Sequence, residues 1–313
     1  MLIFLAIKPK QLTPFKYKVN TPPSLNELLS LEFKQFTLQE IKEDGAPPIG
    51  PDDEVDMRFF PAHRPAADEI LKKLHKLSND NNVTEMMLIA VSGAGKTSTI
   101  FQVAHEIFTI YIPCTPNAVY EEQKGRLGRD NSGSFVLLEN AVNRTVPKKE
   151  SAFEKSDEAI RLSTIFFVAN LFGVFLFLKK FPSASPIQFL LFQLTESEGR
   201  DVVEKVFEAL EVLTLTAVQD LADSLQTELL PLVKGYGSHV LLALDDMEGI
   251  DNLDTQYISR TNQHERSLLS SVLLAASNMQ TTAALSTLVS GTGFSQDRYH
   301  TVTSDIGKAR VGT

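Results

Sequence analysis

The order of apolar runs and helical repeats along the chain predicts an α/β fold built on a parallel sheet. Apolar runs at 86–91, 109–112, 240–244 and 283–289 are typical of strands, and segments with helical spacing lie between them. The first run leads directly into a glycine-rich loop and then a helix. The run at 240–244 ends in two acidic residues. These three observations together favour strands that alternate with helices.

The elements next to the glycine loop follow from the spacing of apolar residues. The continuous run at 86–91 is expected in a central strand whose two faces are both covered. A helix that begins near Lys96 is predicted by apolar residues at i, i+3, i+4 and i+7: Ile100, Val103, Ala104 and Ile107. Ahead of the strand, 66–77 has helical spacing, and the polar segment 78–82 is expected to be a loop.

The remaining elements are predicted from shorter signals. Residues 109–112 are expected to form a second strand, and 134–138 are predicted to be another strand. The stretch from 153 to 233 is predicted to be helical throughout. The last two elements are a helix at 267–276 and a strand at 283–289.

Composition limits the classes of protein to which the chain can belong. Its 313 residues are 43% hydrophobic and 22% charged, which suits one large domain and excludes disorder as the main state. The net charge of −9 gives no bulk attraction to nucleic acid or an anionic membrane, although it does not exclude a local basic groove. The single cysteine, Cys114, excludes an intramolecular disulfide. We expect an N-terminal extension with a proline-rich linker over 1–55 and one domain over 56–313.

Two apolar segments have features of targeting or membrane signals. Residues 1–7 have no basic region ahead of them and about half the length of a secretory apolar region, so a strand is favoured. Residues 164–178 fall short of the roughly 20 residues that span a bilayer. They are predicted to be a buried core helix, and a membrane-associated protein is the less favoured alternative. A further helix is expected after Ser185, which has a capping-box pattern with Gln188.

Residues 90–97 fit the phosphate-binding loop Gly-x-x-x-x-Gly-Lys-[Ser/Thr], with Ala90 in place of the first glycine. Glycines in such a loop let backbone N–H groups turn toward phosphate oxygens, and the helix N-terminus adds a positive dipole. We expect Lys96 to contact the β- and γ-phosphates and Thr97 to bind Mg²⁺. The predicted nucleotide-binding residues of this segment are Ser92, Gly93, Ala94, Gly95, Lys96, Thr97 and Ser98.

The acidic strand end at 245–246 has the Walker B arrangement. Asp245 is expected to hold Mg²⁺ through water, and Asp246 to orient or polarise the attacking water, with Glu248 as the alternative for that second role. Lys96, Asp246 and Glu248 are therefore the candidate catalytic residues. Because the loop and the acids occur in the correct order, the prediction is a P-loop NTPase with a parallel sheet of the additional-strand type and a helical insert.

Small hydroxyl residues follow the last predicted strand. In sheets of this type, the strand after the acidic one carries a polar residue that senses the γ-phosphate. Ser290 and Thr292 are the candidates for this role. A plain turn explains the same residues, so both interpretations stay open from the sequence alone.

The order and flanks of these motifs resemble the NTPase domain of Crinkler effectors over residues 57–295. The resemblance rests on Arg-Phe-Phe at 58–60 with the segment 66–74, the loop at 91–97, the helix from 161 that ends in Leu-Lys-Lys-Phe-Pro at 178–182, and the segments 185–194, 244–246 and 290–293. Crinklers, found in oomycetes and some fungi, join an N-terminal translocation module with a Leu-Phe-Leu-Ala-Lys motif to a P-loop NTPase related to the signal-transduction ATPases. The resemblance implies secretion, action in the host nucleus and host nuclear proteins as partners.

The two ends of the chain depart from this pattern. Residues 2–8, Leu-Ile-Phe-Leu-Ala-Ile-Lys, are similar to the Leu-Phe-Leu-Ala-Lys motif but have Ile7 inserted before the lysine. We therefore expect a degenerate, shortened translocation module. Related sheets continue after the Gly-Thr-Gly segment with another helix and a fifth strand, so we expect the NTPase domain to be incomplete at its C-terminus.

The expected activity is Mg²⁺-dependent binding and hydrolysis of a nucleoside triphosphate, ATP rather than GTP, by attack of water on the γ-phosphate. The alternative is a nucleotide-gated protein-interaction module with negligible hydrolysis. Two features favour this alternative: Ala90 in the loop, and no single arginine identifiable as a transition-state finger. The arginines considered for that role are Arg126, Arg129, Arg298 and Arg310. The sequence is compatible with a homo-oligomer.

Overall fold

A computed structural model describes residues 20–33, 65–80, 85–90, 94–114, 134–194, 199–237, 239–251, 257–258, 265–279 and 285–292. The helices are α1 Leu25–Leu29, α2 Pro65–Asp80, α3 Lys96–Val103, α4 Ser134–Thr145, α5 Ala152–Lys180, α6 Pro186–Leu194, α7 Gly199–Leu210, α8 Leu215–Val233, α9 Glu248–Asp251 and α10 Leu268–Met279. The strands are β1 Glu85–Ile89, β2 Phe108–Pro113, β3 Val240–Asp245, β4 Tyr257–Ile258, β5 Glu265–Arg266 and β6 Leu285–Gly291. Short 3₁₀ turns follow α4 and α8.

Four parallel strands form the main sheet in the order β1-β6-β3-β2, and β4 and β5 form a separate antiparallel pair. The last of the described strands, β6, therefore lies between β1 and β3. The carboxyl ends of the strands are in register, because Pro113 pairs with Asp245 and Ile89 pairs with Gly291. The segments that follow the strands consequently meet along one edge of the sheet.

Alternate residues of the strands face two different helical layers. In β3, Val240, Leu242 and Leu244 join a large core with α4, α5, α7, α8 and α10, whereas Leu241 and Ala243 join a small core with α2 and α3. This alternation is the period-2 pattern of a strand covered on both faces. The protein is thus an α/β fold with a parallel sheet, as the sequence predicts, and helices cover both faces of that sheet.

The large core is organised around α5, a helix of 29 residues. It begins with a capping box between Ser151 and Glu154 and ends with Lys179 and Lys180, whose charges suit the negative end of the helix dipole. By length and composition α5 could cross a membrane, but 89% of its most apolar window is buried inside the protein. The buried helix predicted over 164–178 is confirmed as part of α5, mostly in its C-terminal half.

Two predictions of local structure are wrong. Residues 134–138 are not a strand but the start of α4, in which Phe135, Leu138 and Val142 are buried at helical spacing. The five-residue window was too short to show that spacing. Of the loop predicted at 78–82, residues 78–80 are helical, because α2 continues to Asp80, and residues 81–82 lie outside the described residues. Serine, asparagine and aspartate are only moderately weaker helix formers than alanine, so an established helix continues through them.

Part of the predicted N-terminal extension packs against the domain. Helix α1 has a complete capping box between Ser24 and Glu27, and Leu28 is fully buried in the large core. The ring of Phe33 lies 6.2 Å from the ring of Phe172 in α5. The strand predicted at 1–7 lies outside the described residues.

Helix α6 lies beside β2, which is the outermost strand on one side of the sheet among the residues that the structure describes. The amide of Gln193 donates to the carbonyl oxygen of Thr109 at 2.7 Å and accepts the N–H of Tyr111 at 3.1 Å. One side chain therefore makes the pair of hydrogen bonds that another strand would make. This satisfies two backbone groups of an edge strand and blocks pairing with a second chain there.

Arg161 connects α5 to the turn between α7 and α8. Its guanidinium binds the carboxylate of Glu158 at 2.6 and 3.1 Å and donates to the carbonyl oxygens of Glu211 and Leu213 at 2.7 and 2.9 Å. Burial raises the pKa of Glu158, but the hydrogen bond and charge of Arg161, with Lys149, lower it more. The pKa of Glu158 therefore lies below its ordinary value, and this carboxylate stabilises the folded protein when it is ionised.

We expect Arg161→Ala to lower the free energy of unfolding at neutral pH by about 3 kcal/mol, because it leaves a buried carboxylate and two carbonyl groups without their donor. The loss should shrink as the pH falls below the ordinary glutamate pKa and Glu158 becomes protonated in both states. Urea denaturation at several pH values measures this. Arg144→Ala is the control, since its contact with Glu211 is mostly exposed and should contribute less than about 1 kcal/mol. Equal losses of stability in the two variants would contradict the stabilising role assigned to Arg161.

Candidate functional site

The carboxyl edge of the sheet brings together residues that are far apart in the sequence. Lys96 and Thr97 start α3, Asp245 ends β3, and Ser290 and Thr292 come at the end of β6. Hydrogen bonds join Thr97 and Ser290 to Asp245, and Lys96 to Thr292. These were candidate site residues from the sequence, and the structure places them in contact.

Gly95 allows α3 to begin immediately after the loop. It is the residue before the first helical turn and has φ of 80°, a left-handed conformation that strains residues with a Cβ. Its carbonyl oxygen accepts the N–H and the hydroxyl of Thr99 at 2.8 and 3.0 Å. Ala94 and Gly95 are exposed, whereas Ser92 and Gly93 lie outside the described residues. The turn at Gly95, which favours glycine, therefore places Lys96 and Thr97 at the edge of the sheet.

Asp245 is only 1% exposed and accepts hydrogen bonds from three hydroxyl groups. Thr97 donates to Oδ2 at 2.6 Å, Tyr111 donates to Oδ2 at 3.2 Å, and Ser290 donates to Oδ1 at 2.5 Å. A buried carboxylate is costly unless donors of this kind surround it. We call these four residues the Asp245 hydroxyl cluster.

Lys96 and Thr292 form the neighbouring part of the site. The Lys96 ammonium donates to the carbonyl oxygen of Ala90 at 3.1 Å and to the Thr292 hydroxyl at 2.9 Å. The N–H of Thr292 donates to the Glu248 carboxylate. Ser290 and Thr292, which the sequence left as alternatives, thus take different positions: Ser290 contacts the acid and Thr292 contacts the lysine.

Asp246 has an unusual backbone and a perturbed carboxyl group. Its φ of 55° is left-handed. The next residue, Met247, is again bonded to β6, because its N–H donates to the carbonyl oxygen of Ser290 at 3.0 Å. Partial burial raises the pKa of Asp246, the charges of Asp245 and Glu248 raise it further, and the Lys96 ammonium opposes them. Strained residues with shifted pKa values are typical of functional sites.

The donor set at the strand ends suits a small hard cation. The Thr97 hydroxyl and the Asp245 carboxylate present two oxygen atoms that lie 2.6 Å apart. Within the described ranges no three His, Cys, Asp or Glu side chains converge as a metal-binding group. Mg²⁺ takes few protein ligands and keeps several waters, so one hydroxyl and one carboxylate fit it better than they fit a metal that needs an all-protein cage.

Sequence reasoning missed Tyr111 and Gln193. Tyr111 lies in an apolar, buried strand, and a buried tyrosine hydroxyl usually has a hydrogen-bond partner, which is the signal that could have been used. The four arginines considered as transition-state fingers, Arg126, Arg129, Arg298 and Arg310, lie outside the described residues. Their role stays a prediction from the sequence.

Comparison with known proteins identifies no relative. No family model matches the chain, and no curated protein or solved structure is significantly similar to it. The functional assignment therefore depends on the residues and geometry of the site itself.

Asp246→Asn should raise the free energy of unfolding at pH 7, because a carboxyl with a raised pKa destabilises the folded state once it is ionised. The penalty develops as the pH rises above the unfolded pKa, so the variant and the wild type should converge near pH 3. Urea denaturation at the two pH values measures the difference.

Asp246→Ala is the matched comparison for the backbone. It removes the same charge, but alanine tolerates the left-handed conformation less well than asparagine, by about 1 kcal/mol. We expect the alanine variant to be less stable than the asparagine variant at every pH. If Asp246→Asn destabilises the protein at pH 7, the electrostatic account of this carboxyl is wrong.

Proposed function

We propose that this chain is a P-loop NTPase that binds ATP, or less favourably GTP, with Mg²⁺ and hydrolyses the γ-phosphate. The observation that carries the proposal is the convergence of Lys96 and Thr97 with Asp245 and Thr292 at the carboxyl ends of parallel strands. The strand order supports it, because β6 lies between the strand before the glycine loop and the strand that ends in the acids. That order is expected of the additional-strand type.

The residues of the site suit different steps of nucleotide binding. Lys96 would exchange its contacts with Ala90 and Thr292 for phosphate oxygens, and the start of α3 would add its N–H groups. Thr97 would bind Mg²⁺ and Asp245 would hold it through water, and the bound ion would neutralise charge on the β- and γ-phosphates. Thr292, already beside Lys96, is better placed than Ser290 to sense the γ-phosphate.

Asp246 is the favoured residue for orienting and polarising water. Its raised pKa brings it closer to the range in which a carboxylate accepts a proton effectively. Glu248, the alternative, accepts a hydrogen bond from the N–H of Thr292. Its carboxylate therefore connects α9 to the end of β6. We assign Asp246 the role in water attack and Glu248 a role in positioning Thr292.

The second candidate function is a nucleotide-gated interaction module without appreciable turnover. Ala90 at the first loop position favours it, because the usual glycine at that position is missing. In this case Mg²⁺–nucleotide would order the site and its helices for a partner. Tight binding with phosphate release near the background rate would distinguish this module from the enzyme.

By sequence resemblance over 57–295, we propose that the protein is a Crinkler-like effector that is secreted and acts in the nucleus of a host cell, on host nuclear proteins. A fluorescent fusion expressed in host cells tests the location. Accumulation in the nucleus supports the proposal, and uniform cytoplasmic signal or exclusion from the nucleus contradicts it.

Lys96→Ala should weaken binding of Mg²⁺–ATP at least about tenfold, because it removes the ammonium group that would contact the phosphate oxygens. Lys234→Ala is the matched control, since it removes an exposed lysine on the 3₁₀ turn after α8. Calorimetry with ATP and with GTP measures the affinities and the base preference. If the folded wild type binds neither nucleotide, the proposed function fails.

Asp246→Asn should keep nucleotide affinity within about threefold and slow phosphate release by about 10²- to 10⁴-fold, the usual contribution of a positioned proton acceptor. Glu248→Gln keeps an oxygen that can accept the Thr292 N–H, so its rate should stay within about tenfold of the wild type. A severe loss in Glu248→Gln with an active Asp246→Asn would reverse the two assignments.

A further inference from the structure

Tyr111 belongs to none of the sequence motifs, yet its buried hydroxyl donates to the Asp245 carboxylate. We propose that Tyr111 is a positioning residue that keeps this carboxylate in the orientation in which it holds the cation. The inference rests on the proposed function and extends it from the motif residues to the neighbouring strand β2.

The two oxygens of Asp245 are held from different elements. Ser290 of β6 donates to Oδ1 at 2.5 Å, and Tyr111 of β2 donates to Oδ2 at 3.2 Å. The terminal torsion of an aspartate has broad preferences, so a single donor would leave the plane of the carboxylate free to rotate. A donor on each oxygen defines that plane.

Thr97 also donates to Oδ2, and it can keep this hydrogen bond while its oxygen binds a cation through a lone pair. Thr97 lies in the first turn of α3, directly after the loop, whereas Tyr111 lies within strand β2 of the sheet. Tyr111 is therefore the donor to Oδ2 that does not depend on the position of the loop. Because Asp245 acts on the cation, loss of the Tyr111 hydroxyl should alter the Mg²⁺ requirement.

The phenol group is held firmly enough for this role. The Tyr111 ring packs edge-on against Phe101 of α3, with ring centres 5.0 Å apart and an interplanar angle of 82°. Its backbone N–H is bonded to Gln193 of α6, and it pairs in register with Ala243 of β3. Three elements thus restrain one hydroxyl, as expected for an outer partner that orients a metal-binding carboxylate.

Tyr111→Phe tests the proposal because it removes the hydroxyl and keeps the ring. We expect the Mg²⁺ concentration that gives half-maximal tightening of a fluorescent ATP analogue to rise about tenfold, the lower end of the effect of removing an outer-shell partner. The affinity for the same analogue in EDTA should change less than about twofold. A purely structural role would weaken both or neither.

Tyr236→Phe is the matched control. Its ring also packs edge-on against a phenylalanine, Phe108, at 5.1 Å and 86°, and the same atom is removed. The Mg²⁺ requirement should not change in this variant. Ser290→Ala, which removes the donor to the other oxygen, should raise the Mg²⁺ requirement in the same way as Tyr111→Phe and provides a second test if the first variant folds poorly.

The outcomes separate the two levels of the proposal. If the wild type binds no nucleotide with Mg²⁺, the proposed function and the role of Tyr111 both fail. If the wild type shows Mg²⁺-dependent binding and Tyr111→Phe has the same Mg²⁺ requirement, the positioning role alone is wrong. An equal loss of affinity in EDTA and in Mg²⁺ also overturns it.

Discussion

Burial of the Asp245 carboxylate is the constraint on which the architecture of the sheet edge depends. A carboxylate that is 1% exposed must receive hydrogen bonds, and Asp245 receives them from α3, β2 and β6. Those donors can meet only if the four strands keep their order and register. The donors to Asp245 therefore require both the turn at Gly95 and the parallel pairing of β3 with its two neighbours.

The helices around the sheet fall into two groups with different tasks. On the side of the small core, α2 and α3 cover the face that carries Tyr111 and Leu241, so this layer supports the site directly. On the other side, α4, α5, α7, α8 and α10 bury most of the apolar surface and hold no candidate site residue among those described. Helix α6 contributes to both cores, through Phe189 to the large one and Leu190 to the small one, and covers the edge of β2.

The parts of the fold that depend on local pattern could be predicted, and those that depend on distant contacts could not. Apolar runs identified β1, β2, β3 and β6, and the acid at the end of β3 identified the site. The sequence could not distinguish the roles of Ser290 and Thr292, because each depends on a partner more than 40 residues away. The roles of Tyr111 and Gln193 could not be predicted for the same reason. The strand predicted at 134–138 was wrong for a different reason, because a short apolar run suits a strand or a buried helix equally.

The length and apolarity of α5 have a consequence for synthesis of the chain. Helices α7, α8 and α10, which cover α5, all follow it in the sequence, and α10 ends only at Met279. At roughly 5–20 residues per second, an apolar helix would leave the ribosome several seconds before its last partner is made. During that interval it resembles a membrane-inserted segment. The core around α5 is therefore incomplete until translation has supplied α10, and early association of α5 with α4 and the completed strands would shorten its exposure.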